Sequence, residues 1–196
     1  RCNGGYINLP KVLELTLGNG TDPKSGVSMF HPDDAEPKSF RQLMNRFYSY
    51  FQQGIALQVE ETNITDGIHN TTGLVAVGTA TVVDSLEAVR QLVYRGQRLT
   101  LNEFARILKD NFRDREPLRQ FILNRIPKFG NDVDRVDILA VEITDMFANQ
   151  LERFENSKGQ FWPALYSVSA QVGWATPAEP RQMDVLQSNC YGRLRL

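Results

Sequence analysis

The sequence predicts a helix-rich α/β fold, and three observations carry that reading. Six stretches repeat apolar residues at helical spacing, most of them opening on a capping signal. One stretch, Leu74 to Val83, is rich in Val and Thr with small residues between, as a strand buried on both faces is. That stretch passes straight into a helical pattern, which is half of a βαβ unit. At 196 residues the chain is long enough to bury a real core in one domain, or to make two small ones.

Taken in order, Pro10 stands where a helix can begin, because a first-turn residue needs no N–H. Val12, Leu13, Leu15 and Leu17 follow, and Gly18 and Gly20 stop that helix. Residues 4–8 read as a Gly-rich turn, and residues 18–38 as a loop. Ser39 opens a second helix with Gln42 at capping-box spacing and an aromatic stripe of Phe40, Phe47 and Phe51. Core packing accounts for that stripe better than a stacking surface for bases or sugars. Residues 57–72 are polar and lack periodicity.

After the Leu74–Val83 strand, Asp84 with Glu87 has capping-box spacing and predicts a helix ending at Gly96. Thr100 with Glu103 repeats the device before Leu101, Phe104, Ile107 and Leu108. Asp114 is the expected cap of a further helix that ends at Pro127. The longest amphipathic helix then begins after the turn at Gly130, capped by Asn131 or Asp132. It carries Val136, Leu139, Ala140, Ile143, Phe147, Leu151 and Phe154 on one stripe. Gly159 breaks it, and Phe161 to Val172 reads as a second strand in a covered sheet or barrel.

Composition narrows the classes. With 22 basic and 23 acidic residues the net charge is −1, so nothing points to nucleic acid or to a membrane surface. No apolar run approaches the ~20 residues of a membrane helix. The first residues, Arg-Cys-Asn-Gly-Gly, show neither arm of a signal peptide. Cys2 and Cys190 are the only cysteines and make no disulfide framework, which fits a reducing cytoplasm. The sequons at Asn19, Asn63 and Asn70 are then read as chance.

Asp132, Asp134 and Asp137 invite a hard-cation site, but 132 lies off the face shared by 134 and 137. Charge at the positive end of the helix dipole is the better reading. His31 and His69 lack metal-ligand spacing. Ser167 and Ser169 lack triad partners, and Gly73 and Gly78 form no phosphate loop. Metal and bound cofactor are therefore expected to be absent.

Four segments in order carry a family resemblance: GGYINLPKVLELTLGNG (Gly4–Gly20), GLVAVGTATVVDSLEAVRQLV (Gly73–Val93), PKFGND (Pro127–Asp132) with its acids and long helix, and FWPALYSVSAQVGW (Phe161–Trp174). Together they resemble the pyruvate formate-lyase-like glycyl radical enzymes. The resemblance implies the ten-stranded β/α barrel of that family, of which residues 1–196 make a single partial domain. It also implies radical lysis, dehydration or acyl transfer on a small metabolite. A protein glycyl radical installed by a radical-SAM activating enzyme, a homodimer and an anaerobic cytoplasm go with it.

Two roles follow from the resemblance: a cysteine that becomes a transient thiyl radical and a glycine near the C-terminus that stores the radical. Cys2 is the candidate for the first. It lies six residues before Asn8, where the family has about a dozen or more, and the Glu of the family's G-C-x-E pattern does not follow it. Gly192 is the candidate for the second. Tyr191 precedes it, whereas the family pattern is R-V-x-G-Y, so a separate glycyl radical domain is expected to be absent. The family also carries a longer stretch before the second strand, with a further helix and a DGGARYN-like turn. Asp66-Gly67-Ile68-His69-Asn70 resembles a shortened remnant of that turn. His69 and Gln171 take a small claim to the family's pocket from their positions. A non-catalytic remnant or interaction domain is the alternative function.

Overall fold

The sheet that organises the fold has three parallel strands, and two of them start within one residue of where the sequence places them. A computed structural model describes residues 5–22, 28–29, 35–65, 73–156 and 159–165. Strand β1 (Gly5–Asn8) pairs with β2 (Gly73–Val77), and β2 pairs with β5 (Trp162–Leu165), giving the order β1-β2-β5. Both pairings are parallel, with Gly5 opposite Leu74, Asn8 opposite Val77 and Ala76 opposite Leu165. Two residues each of β3 (Glu155–Asn156) and β4 (Gly159–Gln160) form a small antiparallel pair. The helices are α1 (Leu9–Leu17), α2 (Phe40–Thr65), α3 (Thr79–Val89), α4 (Leu101–Lys109), α5 (Glu116–Arg125) and α6 (Asp134–Leu151). A π-helical turn, Arg90–Arg95, continues α3 to Gly96.

Chain contacts divide the protein into two units. The first comprises Arg1–Asp34, Leu43–Thr79 and Val141–Tyr166, and the second Ala35–Gln42, Ala80–Ala140 and Ser167–Leu196. The core of the first unit is built on the sheet and on the aromatic stripe of α2. Leu74, Val75 and Ala76 are buried, as are Phe47, Tyr50 and Phe51, and Phe51 stacks on Phe147 of α6 with ring centroids 5.6 Å apart. The core of the second unit includes buried Val82, Val83 and Leu86 of α3 and buried Phe104, Ile122 and Leu139. Each fully buried side chain of this size contributes about 1.5–3 kcal/mol, so both units are held chiefly by apolar burial.

Several expectations hold. Pro10 sits in the first turn of α1, and the helix closes at Gly18. Ser39 accepts from Gln42 N–H while the Gln42 side chain accepts from Lys38 N–H. Thr100 and Glu103 make a full capping box at α4. Every predicted apolar residue of α6 from Val136 to Leu151 is buried.

Others are corrected. Residues 5–8 form a strand, not a turn, because their N–H and C=O groups pair with β2 across positions that sequence cannot link. Helix α2 continues through Thr65, into the polar stretch from residue 57 whose lack of periodicity gave no sign of a helix. The stretch expected as one strand splits: β2 ends at Val77, Gly78 turns with φ +83°, and Thr79–Val83 is helical. The β-branched run costs only tenths of a kcal/mol per residue in a helix, which burial of Thr81 through Val89 overrides. Asp84 is consequently not a cap but lies inside α3. Asp114 has φ +58° and precedes an α5 whose first turn starts at Glu116, so it caps nothing either. Helix α6 starts at Asp134, with Val133 C=O accepting the first helical N–H groups, so Asn131 and Asp132 belong to the turn. Phe154 lies beyond the end of α6 and is half-buried. The second strand is described from Trp162 to Leu165, and the rest of Phe161–Val172 lies outside the described residues.

Candidate functional site

In open parallel α/β sheets the chemistry gathers at the carboxyl ends of the strands, where each strand turns into its helix. Here that edge is formed in the first unit by the ends of the three strands, with Asn8 opposite Val77 and Leu165 opposite Ala76. Asn8 ends β1 and caps α1, its Oδ1 accepting from Lys11 N–H at 3.1 Å. Pro10 of this turn lies against Gly78 of the next one. A Cβ on Gly78 would meet Pro10 Cδ at 2.5 Å, and its φ of +83° is one that L side chains rarely adopt. The two turns are thus locked together by a glycine that no other residue replaces without strain.

Lys11 projects from α1 between two acids, 2.8 Å from Asp22 and 3.0 Å from Glu14. Burial pulls its ammonium pKa down, but the hydrogen bonds to Asp22 and Glu14 outweigh burial and raise it. Asp22 is itself buried. In the loop that follows α1, Asn19 Oδ1 accepts from Arg46 of α2 at 2.8 Å, and Gly20 lies against Tyr50, whose hydroxyl oxygen a Cβ would meet at 2.7 Å. These contacts fix the segment that leaves α1.

The second unit holds a buried ionic cluster around α3. Asp84 and Glu87 are fully buried, and Lys128 is nearly so. Asp84 Oδ1 accepts from Phe129 N–H at 2.7 Å, pinning the PKFGN turn to α3. Lys128 Nζ donates to Ile122 C=O at 2.8 Å near the end of α5. Glu87 pairs with Arg90, and it accepts from Arg135 Nε at 3.1 Å and from Gln91 at 2.8 Å. Burial lowers the Lys128 pKa, and the charges of Asp84 and Glu87 push it back up. Each buried carboxylate is therefore matched by cations or N–H donors, as burial of a charge requires. Capping-box spacing concealed this cluster in the sequence. The signal that pointed to it is the apolar flank on both sides of the acids, Val82-Val83 and Leu86 with Ala88-Val89.

The residues singled out for chemistry fare differently. Cys2, Gly192, His31, His69, Ser167, Ser169, Gln171 and Cys190 all lie outside the described residues. Asp137 accepts from Gly130 N–H at 3.3 Å and Asp132 sits in the turn with φ +57°. Among the described residues no group of three His, Cys, Asp or Glu side chains is placed to hold a metal ion. Within the same residues no helix is long and apolar enough to cross a membrane.

Comparison with known proteins agrees with this geometry. The sequence model of the family described as pyruvate formate lyase-like matches residues 1–72 and 67–175. Trans-4-hydroxy-L-proline dehydratase of Clostridioides difficile is 26% identical over 179 aligned positions, covering 75% of this chain and 23% of that protein. The probable dehydratase YbiW of Escherichia coli is 26% identical over 228 positions, covering 92% of this chain and 28% of its own length. A solved structure from Roseburia inulinivorans, described for 1,2-propanediol dehydration, superposes with a TM-score of 0.76 at 26% identity. It covers 96% of this chain and 28% of the other. The B12-independent glycerol dehydratase of Clostridium butyricum gives a TM-score of 0.74 at 25% identity, over 86% of this chain and 25% of that one. The chain thus spans about a quarter of the length of these relatives. With most of its residues matched by the family model and 96% of it superposing at a TM-score of 0.76, the chain belongs to the pyruvate formate lyase-like family of glycyl radical enzymes.

Proposed function

We propose that this chain is part of a glycyl radical enzyme that acts on a small metabolite by radical dehydration or lysis. The observation that carries the reading is the family match over residues 1–72 and 67–175, whose named relatives include dehydratases and a sulfite-lyase. In this reading the chain contributes the β1-β2-β5 parallel segment and its β-to-α turns to the barrel. Cys2 is this chain's candidate thiol for hydrogen abstraction and Gly192 its candidate glycine for radical storage, each departing from the family's pattern. The step balances without a further reactant. The glycine Cα radical takes hydrogen from the thiol, the thiyl takes hydrogen from substrate, and the product radical takes it back. A radical-SAM activating enzyme that forms the first radical, a homodimer and an anaerobic cytoplasm belong to the same reading, as does acyl transfer as a further reaction type.

A second reading is favoured by the departures around Cys2 and Gly192: a non-catalytic domain that keeps the family core. Electron paramagnetic resonance separates the two. The polypeptide that carries this chain, incubated anaerobically with a radical-SAM activase and S-adenosylmethionine, is expected to show a glycyl doublet, lost in Gly192→Ala. A folded protein that shows no doublet sinks the enzyme reading. A doublet that survives Gly192→Ala moves the radical to another glycine.

A further inference from the structure

The relatives are longer than this chain within the matched region as well as outside it. For YbiW, 92% of 196 residues is about 180, so about 48 of the 228 aligned positions have no residue of this chain opposite them. The same reckoning for the hydroxyproline dehydratase leaves about 32 of 179 positions, and for the isethionate sulfite-lyase of Nitratidesulfovibrio vulgaris about 35 of 192. The family model meanwhile matches in two pieces that share residues 67–72. A single continuous match does not break and restart on the same six residues, so the family match is interrupted at that place. That place lies between Thr65, where α2 ends, and Gly73, where β2 begins.

We infer that this chain carries one internal deletion of about 30–50 residues between Thr65 and Gly73, at the amino end of β2, and that the core was built to do without them. The topology explains why the loss is tolerated. Gly73 lies at the edge of the sheet opposite the turns formed by Asn8, Pro10 and Gly78. The β1–β2 register runs unbroken from Gly5 to Asn8, and Leu74, Val75 and Ala76 stay buried. The residues that remain, Asp66-Gly67-Ile68-His69-Asn70-Thr71-Thr72, are rich in turn formers and suffice in composition for a short connection. Closing a loop costs entropy only as the logarithm of its length, so the junction should accept added residues as readily as it lost them.

Two variants test this in the protein as it stands. In one, a 40-residue glycine–serine segment (a length of about that missing) replaces residues 66–72; in the other, the segment that aligns there in the Roseburia enzyme does. Hydrogen exchange of Leu74–Val77 and the melting temperature are read in both. The glycine–serine variant is expected to keep β2 protected and to melt within about 5 °C of the parent. Loss of β2 protection in that variant overturns the claim that the core is independent of the segment. The grafted segment is expected to gain slowly exchanging amides of its own. A graft that exchanges as fast as the glycine–serine segment overturns the assignment of the deletion to this junction.

Discussion

Replacing Asp84 with Ala removes the one acceptor that holds Phe129 N–H at 2.7 Å and takes a negative charge away from buried Lys128. A hydrogen bond to a charged group contributes about 1.5–3 kcal/mol, and breaking a buried charge pair by removing one partner costs about 3–5 kcal/mol. The two losses overlap, so we expect a destabilisation of about 3 kcal/mol, or a fall in melting temperature of about 6–12 °C for a chain of this size. Asp84→Asn keeps an acceptor for Phe129 and should lose about half as much. The pH dependence follows from Lys128. Its pKa is lowered on folding by burial, so stability from this group rises as pH climbs from the folded value towards the usual 10.5. A neutral lysine needs no counter-charge, so the Asp84→Ala penalty should shrink over that window. Thermal melts of the parent, both variants and the Asp84→Ala, Lys128→Met double mutant measure all of this. An Asp84→Ala change of less than about 0.5 kcal/mol, typical of an exposed site, would refute the pinning of the PKFGN turn to α3.

Gly78→Ala should cost about 3 kcal/mol, from a left-handed φ and a clash with the Pro10 ring, and adding Pro10→Ala should recover only the clash; denaturant melts that show no recovery would remove the lock between the two turns. Thr100→Ala should cost about 1 kcal/mol by loss of the α4 cap. The hydrogen bonds from Thr100 lower the pKa of exposed Glu103, so its share is present above the usual carboxylate range and fades as pH falls through the lowered value; acid melts of parent and Thr100→Ala should therefore converge. Burial, aided by Glu142, raises the Tyr48 phenol. Its stabilisation is complete below the usual ~10 and lost as pH rises beyond it. Ultraviolet titration should show a late phenolate that Tyr48→Phe removes.

Local chemistry was readable where it decides the outcome by itself. The caps at Ser39 and Thr100, Pro10 at the start of α1 and the stripe of α6 all depend on neighbours within about two helical turns, and sequence displays those. Strand β1 was not readable, because four residues that open on a glycine pair become a strand only through β2, almost seventy positions away. Asp84 and Glu87 misled for a related reason. Their spacing fits a cap, but burial on all sides of α3 turns them into core ions, with partners at Phe129 and Arg135 some forty-five residues on. The family-level reading rested on segments such as PKFGND, and the structure gives that segment a packing role through Asp84 and Lys128. The candidate site is legible only as an edge: Asn8, Pro10 and Gly78 are placed, while Cys2 and Gly192 lie outside the described residues.

The claim on which the rest depends is that the chain supplies three parallel strands in the order β1-β2-β5. Nuclear Overhauser contacts on uniformly labelled protein test it directly. Parallel pairing in this register predicts backbone cross-peaks that link Tyr6 and Ile7 with Val75 and Ala76, and Leu74 and Val75 with Pro163 and Ala164. Close Hα–Hα cross-peaks, the mark of antiparallel neighbours, between β1 and β2 or between β2 and β5 would contradict it, as would the absence of any contact between residues 5–8 and 73–77 in the folded protein.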